Sequence, residues 1–510
     1  MQKIKRVFSV YPLHPLFMGL FPVVALLAAN IDNTPVSYAF TPALVSLAVS
    51  MVAWSMFYLI TRKYRKSALA ASWFIVLFFS YGHAFDFSGQ ILRHRFFLAF
   101  WSFLFVVGLF YIFRLGKYER KIMFIANVVT AVLVVTSLGQ MTAYKIKTVF
   151  MSSSIPDYIT SFDYGKATKP QKLPDIYYFI VDAYASEWSY KEFFKADISG
   201  FIKDLDERGF YTVPYSTSNY PRTIYSLPST FNLDYLDTLV GPLQSQINLA
   251  TPELLENNRL IHFMKERGYK TIFLGSGITA TIQNKYADEN INYLPLGSEF
   301  ANILYETTVL ETVTEHLKLF DVRKESYTRT KYEMQKIEEI ASQPEATFAL
   351  AHLVIPHYPY VFDTDGTYVS YSLEQERGNN ESYVRQTYYL NKALIKLIDQ
   401  VLKKSEIAPI IVIHSDHGSG MTANTKLWDS YDQSRRDYYI RERMRNFTTV
   451  LLPGLSKEKI PSDLTPVNIW RLVFNTYFGT NLELLPNRNI FNRDEVPGFS
   501  DVTKIAAYDK

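Results

Sequence analysis

The sequence has 510 residues, more than one ordinary domain contains, and 48% of them are hydrophobic. Its formal net charge of +4 is small for this length, so the charge gives no indication of nucleic-acid binding. The sequence has no cysteine, which excludes disulfides, thiolate ligands for zinc and a cysteine nucleophile.

Five apolar segments without Asp, Glu, Lys or Arg occupy the first 144 residues. Each is long enough, or nearly so, to cross a hydrocarbon core of about 30 Å. They are residues 13–31, 38–60, 67–85, 96–113 and 122–144. One such segment could be a buried helix of a soluble protein, and the first could be a signal peptide. Five in succession predict a helical membrane domain over residues 1–144.

Basic residues are distributed unequally around these segments. Eleven Lys and Arg precede the first span or follow the second and fourth, whereas two lie in the opposite loops. Because cytoplasmic loops carry the excess of Lys and Arg, the sequence predicts a multi-pass protein of the cell membrane with a cytoplasmic N-terminus. Everything after the fifth span is then extracytoplasmic, beginning with a predicted juxtamembrane linker over residues 145–172.

Strand-like and helix-like segments alternate from residue 173 to residue 510. The strand-like segments are 175–181, 210–213, 269–275, 346–355, 410–413 and 446–452, and the helix-like ones are 201–208, 259–267, 383–404 and 465–478. This alternation predicts an α/β domain with a mostly parallel sheet and helices on both faces.

Polar residues follow the predicted strands, where sites collect in open α/β sheets. A β-branched run over 410–413 is followed by His414, Ser415, Asp416 and His417, and a carboxylate beside an imidazole can bind one metal ion. Asp182 ends the first strand, although Asp is also a common helix N-cap. His352 and His357 lie around another strand end, and each could equally be structural.

These residues, together with Thr223, occur in an order that resembles the alkaline phosphatase and sulfatase superfamily. The order is Asp182, then Thr223 in TIYSLPS, then HLVIPHYPY, then HSDHG. With five apolar segments ahead of them, they are most similar to the membrane branch that contains phosphoethanolamine transferases and lipoteichoic acid synthases. The resemblance covers nearly the whole chain. It implies a five-helix membrane domain followed by an extracytoplasmic α/β sulfatase-like catalytic domain over residues 173–510.

The resemblance also implies roles for individual residues. Thr223 matches the nucleophile, which also contacts the metal, and the other implied ligands are Asp182, Asp416 and His417. His357, and with it His352, match histidines that contact the phosphoryl group or the leaving oxygen. One imidazole among three oxygens suits Zn²⁺ or Mn²⁺ better than Ca²⁺ or Mg²⁺. The implied reaction moves a phospho-alcohol group from a membrane lipid to a lipid or glycan acceptor of the envelope, and hydrolysis remains open.

The sequence also departs from this branch. The phosphoethanolamine transferases bracket their threonine with cysteines and carry a later histidine, but this chain has no cysteine and no histidine in residues 421–446. We predict that Arg222 and Trp428 bind substrate, because an arginine can hold a phosphate bidentately. The arginines of 421–446 are explained equally well as a solvated basic loop.

Two alternatives remain open. A sulfatase would form its formylglycine from Ser218 in an S-x-P-x-R setting, but Tyr220 stands where proline is expected, and His417 suits a calcium site poorly. A non-catalytic sulfatase-fold membrane protein would have no use for a metal-ligand set.

Overall fold

The structure is a computed structural model that describes residues 2–31, 34–88, 94–152, 162–168, 170, 172–240, 247–293, 299–316, 322–422, 425–492 and 498–508. It divides into two compact units. Unit 1 comprises Met1–Phe150 and Pro295–Val322, and unit 2 comprises Met151–Leu294 and Arg323–Lys510. The predicted domain boundaries at residues 144 and 173 stay a prediction.

The helices are numbered in chain order. They are α1 (Gln2–Val10), α2 (His14–Ala29), α3 (Phe40–Thr61), α4 (Tyr64–Phe87), α5 (His94–Phe113), α6 (Glu119–Ser152), α7 (Glu187–Phe193), α8 (Ser199–Glu207), α9 (Thr223–Phe231), α10 (Leu236–Val240), α11 (Ile247–Glu256), α12 (Arg259–Glu266), α13 (Glu299–Glu306), α14 (Val309–His316), α15 (Val322–Ile340), α16 (Tyr371–Arg377), α17 (Asn379–Lys404), α18 (Gln433–Met444), α19 (Pro466–Phe478) and α20 (Thr503–Ala506).

The strands are numbered in the same way. They are β1 (Ile176–Val181), β2 (Tyr211–Thr212), β3 (Lys270–Leu274), β4 (Glu289–Ile291), β5 (Thr347–Leu353), β6 (Ile410–His414), β7 (Thr448–Leu451), β8 (Ile490–Phe491) and β9 (Ser500–Asp501).

Unit 1 contains four helical segments that are long and apolar enough to cross a membrane, within the part of the chain that the structure describes. They are Val36–Thr61, Tyr64–Phe87, His94–Phe113 and Gly116–Lys147. The first predicted span is shorter than expected, because α2 has 16 residues and therefore a length of about 24 Å. The helix begins at His14, where Asn127 Oδ1 accepts the backbone N–H groups of Leu13 and His14, and its C-cap is Asn30. The predicted count of five long spans is thus corrected to four and one shorter apolar helix.

Unit 2 is built on a seven-stranded sheet in the order β2-β7-β6-β1-β5-β3-β4. The strands from β6 to β4 are parallel, whereas β7 runs antiparallel to β6 and β2 antiparallel to β7. A separate antiparallel pair is formed by β8 and β9. The prediction of an α/β domain with a mostly parallel sheet is confirmed.

The central strand β1, with the sequence IYYFIV, is fully buried and divides its side chains between two apolar cores. Tyr177, Phe179 and Val181 pack in a core with α8 and α17, and Ile176, Tyr178 and Ile180 pack in a core with α9, α12 and α19. Alternate residues of a strand point to opposite faces. A strand covered on both faces therefore reads as one continuous apolar run, which is why β1 could be located from the sequence.

Candidate metal centre and active site

The register of the sheet brings Asp182 and Asp416 to the same level. Ile180 of β1 pairs with His352 of β5 on one side and with His414 of β6 on the other. Asp182 and Asp416 each lie two residues beyond this paired level. Because β1 and β6 are parallel neighbours, both carboxylates lie at the carboxyl edge of the sheet. Ala183 then adopts a left-handed conformation with φ +59°, and its N–H donates to Asp416 Oδ1 at 3.3 Å.

Thr223 is the first residue of α9 and lies beside Asp416. Its hydroxyl donates to Asp416 Oδ2 at 2.6 Å and lies 3.5 Å from His417 Nε2. One turn later, the Ser226 hydroxyl donates to the Asp416 carbonyl at 2.8 Å. The start of α9 is therefore hydrogen-bonded to Asp416, which lies two residues after the end of β6.

The separations between the candidate ligand atoms fit a single metal ion. Candidate ligand atoms of Asp182, Asp416 and His417 lie within 4.8 Å of one another. His417 Nε2 is 3.2 Å from Asp416 Oδ2 and 3.8 Å from Asp182 Oδ1. Tetrahedral ligands with bonds of about 2.1 Å are separated by about 3.4 Å, so small side-chain adjustments would place these atoms around one ion.

Asp182 is buried without a hydrogen-bond donor. Its exposed fraction is 1%, and no described residue donates to either carboxylate oxygen with ordinary hydrogen-bond geometry, although His352 Nε2 lies 3.5 Å from Oδ2. Burial acts to raise the pKa of Asp182, but the fields of His357, His352 and His417 when these rings are protonated, together with the contact from His352, outweigh it and hold the pKa below its ordinary value. A buried, ionised carboxylate with no donor is costly unless a cation compensates for it. The ligand atoms of Asp182, Asp416 and His417 therefore fit a bound metal ion.

His417 presents the nitrogen that a metal ion requires. Its Nδ1 lies 2.9 Å from the Gly418 carbonyl, which accepts the ring proton and leaves Nε2 as the basic nitrogen facing the carboxylates. Burial, and then the neighbouring Arg443 guanidinium, lower the pKa of His417 to about 4. The ring is therefore neutral at pH 7, which is the form that ligates metals.

The two histidines of the β5 region occupy different positions. His352 is fully buried, with Nδ1 2.7 Å from Thr281 Oγ1 and Nε2 3.5 Å from Asp182 Oδ2, so it lies behind the carboxylate. His357 is partly exposed in the connection after β5, and its Nδ1 donates to the Tyr358 carbonyl at 2.7 Å. His357 is one of the groups whose field lowers the pKa of Asp182, and it is not among the candidate metal ligands.

The loop that carries His357 is held by Gln386, which the sequence analysis did not identify. This buried side chain donates to the carbonyls of Pro356, His357 and Pro359, and its Oε1 accepts from two further backbone N–H groups. A glutamine in the middle of the long helix α17 gives no local sign of this role.

Arg443, at the end of α18, contacts the site directly. It donates through Nη2 to His417 Nε2 at 3.2 Å, through Nε to the Pro221 carbonyl at 2.6 Å and through Nη1 to the carbonyls of Gly418 and Ser419. All four acceptors are uncharged, so the positive charge of Arg443 can act on an anion at the site. In the sequence it was only one member of a basic stretch.

The preceding residue, Glu442, fixes the loop that follows His417. Its fully buried carboxylate accepts from the Ser419 hydroxyl at 2.5 Å and from the backbone N–H groups of Met421 and Thr422 at 2.7 and 3.0 Å. Gly418 lies so close to the end of α18 that a Cβ would be 2.1 Å from the Glu442 carbonyl oxygen. One helix end therefore positions both the loop and Arg443.

The structure does not place all the predicted site residues together. Asp182, Thr223, Asp416 and His417 converge, with His352 beside Asp182 and His357 in the connection after β5. Arg222 is the N-cap of α9 and its guanidinium carbon lies 5.7 Å from the centre of the Tyr225 ring. Trp428 is 9% exposed and packs in an apolar cluster with Tyr439 and Phe491. The substrate-binding roles of Arg222 and Trp428 stay predictions.

A family model described as Sulfatase matches residues 182–440 of this chain, which is just over half of its 510 residues. The match begins at Asp182 and includes Thr223, both histidines of the β5 region, Asp416 and His417. No curated protein matches the sequence.

Several solved structures are similar to the chain at low identity. The C-terminal periplasmic domain of EcEptC from Escherichia coli is 13% identical, with 66% of this chain and 95% of that chain covered and a TM-score of 0.45. The lipooligosaccharide phosphoethanolamine transferase A from Neisseria meningitidis, an integral membrane protein, is 13% identical, with coverage of 92% and 94% and a TM-score of 0.35. A putative sulfatase, yidJ, from Bacteroides fragilis is 14% identical, with coverage of 64% and 82% and a TM-score of 0.38. All three TM-scores are below 0.5, and nothing about the activity of this chain follows from them.

Proposed function

Because this chain belongs to the sulfatase family, we propose that it is a membrane-anchored, metal-dependent enzyme that transfers or hydrolyses phosphate esters. In the transfer reaction, a phospho-alcohol group moves from a lipid donor to an acceptor of the cell envelope through Thr223. The observation that carries the proposal is a threonine hydroxyl beside a buried carboxylate–imidazole set in which Asp182 lacks any described donor.

Asp182, Thr223, Asp416 and His417 would hold one divalent ion. Three oxygens and one imidazole favour Zn²⁺ or Mn²⁺ over Ca²⁺ or Mg²⁺. When bound, such an ion lowers the pKa of the threonine hydroxyl and offsets negative charge on the transferred group.

The residues of the chain then carry out the reaction in two steps. In the first, Thr223 Oγ1 passes its proton to Asp416 Oδ2, which accepts its hydrogen bond, and forms a bond to phosphorus; the bond from phosphorus to the lipid oxygen breaks, and protonated His357 gives its proton to the departing alcohol. In the second, His357 accepts the proton of the acceptor hydroxyl, whose oxygen attacks phosphorus while the bond to Thr223 breaks and Oγ1 regains its proton from Asp416. Water in place of the acceptor gives hydrolysis. Arg443 contributes positive charge beside His417, where the phosphoryl oxygens collect.

The membrane helices favour a lipid donor, because they hold the chain at a bilayer where lipid headgroups are the abundant phosphate esters. The distribution of Lys and Arg supports an extracytoplasmic unit 2, which would place the reaction at the outer face of the cell membrane. A reporter fused after Lys510 should be active only outside the cytoplasm, and cytoplasmic activity would refute this orientation.

The sulfatase alternative is less favoured by the position of Ser218. This serine is fully buried, and its hydroxyl donates to the Met444 carbonyl at 3.2 Å, whereas Thr223 contacts the metal-ligand residues. A formylglycine at position 218 would therefore have to form at a buried side chain with a backbone partner.

The deciding experiment uses the full-length protein in vesicles that contain phosphatidylethanolamine and phosphatidylglycerol. We expect metal-dependent release of diacylglycerol and, after rapid quenching, a phospho-alcohol adduct on the Thr223 peptide detected by mass spectrometry. The mass of the adduct identifies the headgroup. Cleavage of an aryl sulfate with loss of activity in Ser218→Ala would support the sulfatase instead, and a metal-loaded protein inactive on both ester classes would support the non-catalytic alternative.

A further inference from the structure

Helices α13 and α14 lie between β4 and β5 in the sequence, yet they belong to unit 1 with the apolar helices. The segment consists of residues 299–316 and is called the inserted hairpin below. The hydropathy of the sequence does not predict that this segment packs with the membrane helices. Its two helices have eight residues each and are too short to span a bilayer.

The inserted hairpin packs closely on the helices of unit 1. Phe300 and Leu304, one turn apart on α13, are 2% and 8% exposed and share an apolar cluster with α2 and α4 through Val23, Leu27, Ile75 and Phe79. Val309 packs against a second cluster that is formed by Tyr81, Phe85 and Phe97.

The backbones of the hairpin and of α4 are also in direct contact. The N–H of Gly82 donates to the Thr307 carbonyl at 3.0 Å, and a Cβ on Gly82 would lie 2.5 Å from the Glu306 carbonyl oxygen. Only a glycine allows this approach, so the backbone of the hairpin lies in close contact with the backbone of α4.

The contacts extend from the middle of α2 and α4 to one end of the helical unit. Val23, Ile75 and Phe79 lie towards the middle of their helices, whereas Leu27 and Phe85 are in the last turns of α2 and α4 and Phe97 is in the first turn of α5. This is the end at which α2 connects to α3 and α4 to α5. The distribution of basic residues predicts that these connections are extracytoplasmic, as is expected for a segment that follows the last span.

The hairpin also presents large apolar side chains outward. Ile303 and Leu310 are 36% and 43% exposed, although their neighbours Leu304 and Val309 pack inward. The helix α5, whose Phe97 packs in the cluster that Val309 contacts, also has outward apolar side chains, because Phe96 and Phe100 are 55% and 49% exposed. Helices with apolar residues on both the packed and the outward side are suited to lipid and not to water.

We propose that the inserted hairpin is a membrane-interface element that inserts Ile303 and Leu310 among the phospholipid acyl chains of the outer leaflet, near the headgroup boundary. The occupant of this surface is lipid, because the hairpin packs on α4 and α5, which are long and apolar enough to cross a membrane. The proposal rests on the packing of unit 1 and does not depend on the reaction proposed for Thr223.

The absence of cysteine in the sequence makes a direct test possible. Single cysteines at Ile303→Cys and Leu310→Cys receive a nitroxide label in the full-length protein, reconstituted in vesicles of phosphatidylethanolamine and phosphatidylglycerol. Power saturation then compares collisions with oxygen, which partitions into lipid, and with a water-soluble nickel complex. Val135→Cys on α6 is the lipid reference, since Val135 is 66% exposed, and Glu376→Cys on α16 is the exposed water reference.

We expect oxygen-to-nickel collision ratios at positions 303 and 310 that are severalfold above that of position 376 and approach that of position 135. A ratio equal to that of position 376 would overturn the proposal, as would low collision rates with both reagents, which indicate burial in protein. For the unmodified protein, a lipid with a photoactivatable acyl chain should label the peptide 299–316. Labelling of α3 and α5 without this peptide would also overturn it.

Discussion

The unpaired carboxylate of Asp182 makes a prediction that distinguishes a metal ligand from a structural residue. Asp182→Asn keeps the size of the side chain but removes the negative charge. In the metal-free protein, at a pH at which the neighbouring imidazoles are uncharged, a buried charged group without a well-placed donor costs about 1–3 kcal/mol. We therefore expect the metal-free variant to be as stable as the metal-free wild type, or more stable by up to about 3 kcal/mol.

The same substitution should abolish the stabilisation that the metal provides. At a free metal concentration of about 100 times the dissociation constant, binding stabilises the folded state by about 2.7 kcal/mol. For a unit of this size, 1 kcal/mol shifts Tm by about 2 °C or somewhat more, so the wild type should gain about 5 °C. In the wild type, His417 Nε2 lies 3.2 Å from Asp416 Oδ2 and 3.8 Å from Asp182 Oδ1. Because the variant lacks the Asp182 carboxylate, its Tm should rise little when metal is added.

The assay is thermal unfolding of the full-length protein after chelation and after addition of Zn²⁺ or Mn²⁺, with metal content measured in parallel. Asp399→Asn is the matched control, because Asp399 is half-exposed and pairs with Arg208. The reasoning is refuted if the metal-free Asp182→Asn protein loses several kcal/mol of stability while its metal shift stays intact, since Asp182 would then be a structural residue.

Four further predictions concern the remaining groups. Thr223→Ala should fold and lose turnover and the covalent adduct, whereas Thr223→Ser should keep partial activity; normal turnover of the alanine variant would exclude a threonine nucleophile. His357→Ala should lower kcat by about 10²–10⁴ with metal content unchanged, as loss of a general acid does, and full activity would remove it from the mechanism. Arg443→Ala should lower kcat/KM by about 10–100-fold, equivalent to one or two charge-assisted hydrogen bonds, with Zn²⁺ content retained; an Arg441→Ala control should change it little, because Arg441 donates to the Ile505 carbonyl. Burial raises the pKa of Glu333 to about 8, against the opposing effect of Arg329. The contribution of Glu333 to stability is therefore complete below its unfolded pKa. It is lost as the pH rises to about 8, at about 1.4 kcal/mol per pH unit. Glu333→Gln should thus raise the free energy of unfolding at pH 8 and change it little at pH 4.5, and equal effects at the two pH values would contradict the burial argument.

The strand ends could be predicted because they depend on local patterns. The fully apolar β1 and the abrupt change to polar residues after Ile413 both indicate buried parallel strands. Adjacent strands in register then bring Asp182 and Asp416 together without any information from loops. The resemblance to the alkaline phosphatase and sulfatase superfamily is confirmed by the family match.

The supporting residues could not be predicted, because their roles arise from tertiary contacts. Gln386 and Glu442 lie in helices among other polar residues, and only the folded chain shows that each pins a loop of the site. Arg443 reaches His417 for the same reason. The length of α2 was overestimated mainly at its C-terminal end, because hydropathy does not register that the helix ends at Ala29 with Asn30 as its C-cap.

The close packing of Gly418 on the end of α18 separates two kinds of residue within the HSDHG sequence. Asp416 and His417 are the candidate metal ligands, but Gly418 is required by the shape of the fold, since any side chain there would collide with the Glu442 carbonyl. On the proposed mechanism, a relative that had lost the reaction would be free to replace the aspartate and the histidine. It would still need the glycine and the buried glutamate for as long as it kept this loop and helix. The presence of glycine and glutamate at these two positions is therefore no evidence of an active enzyme, and the proposal ties activity to the two residues that precede the glycine.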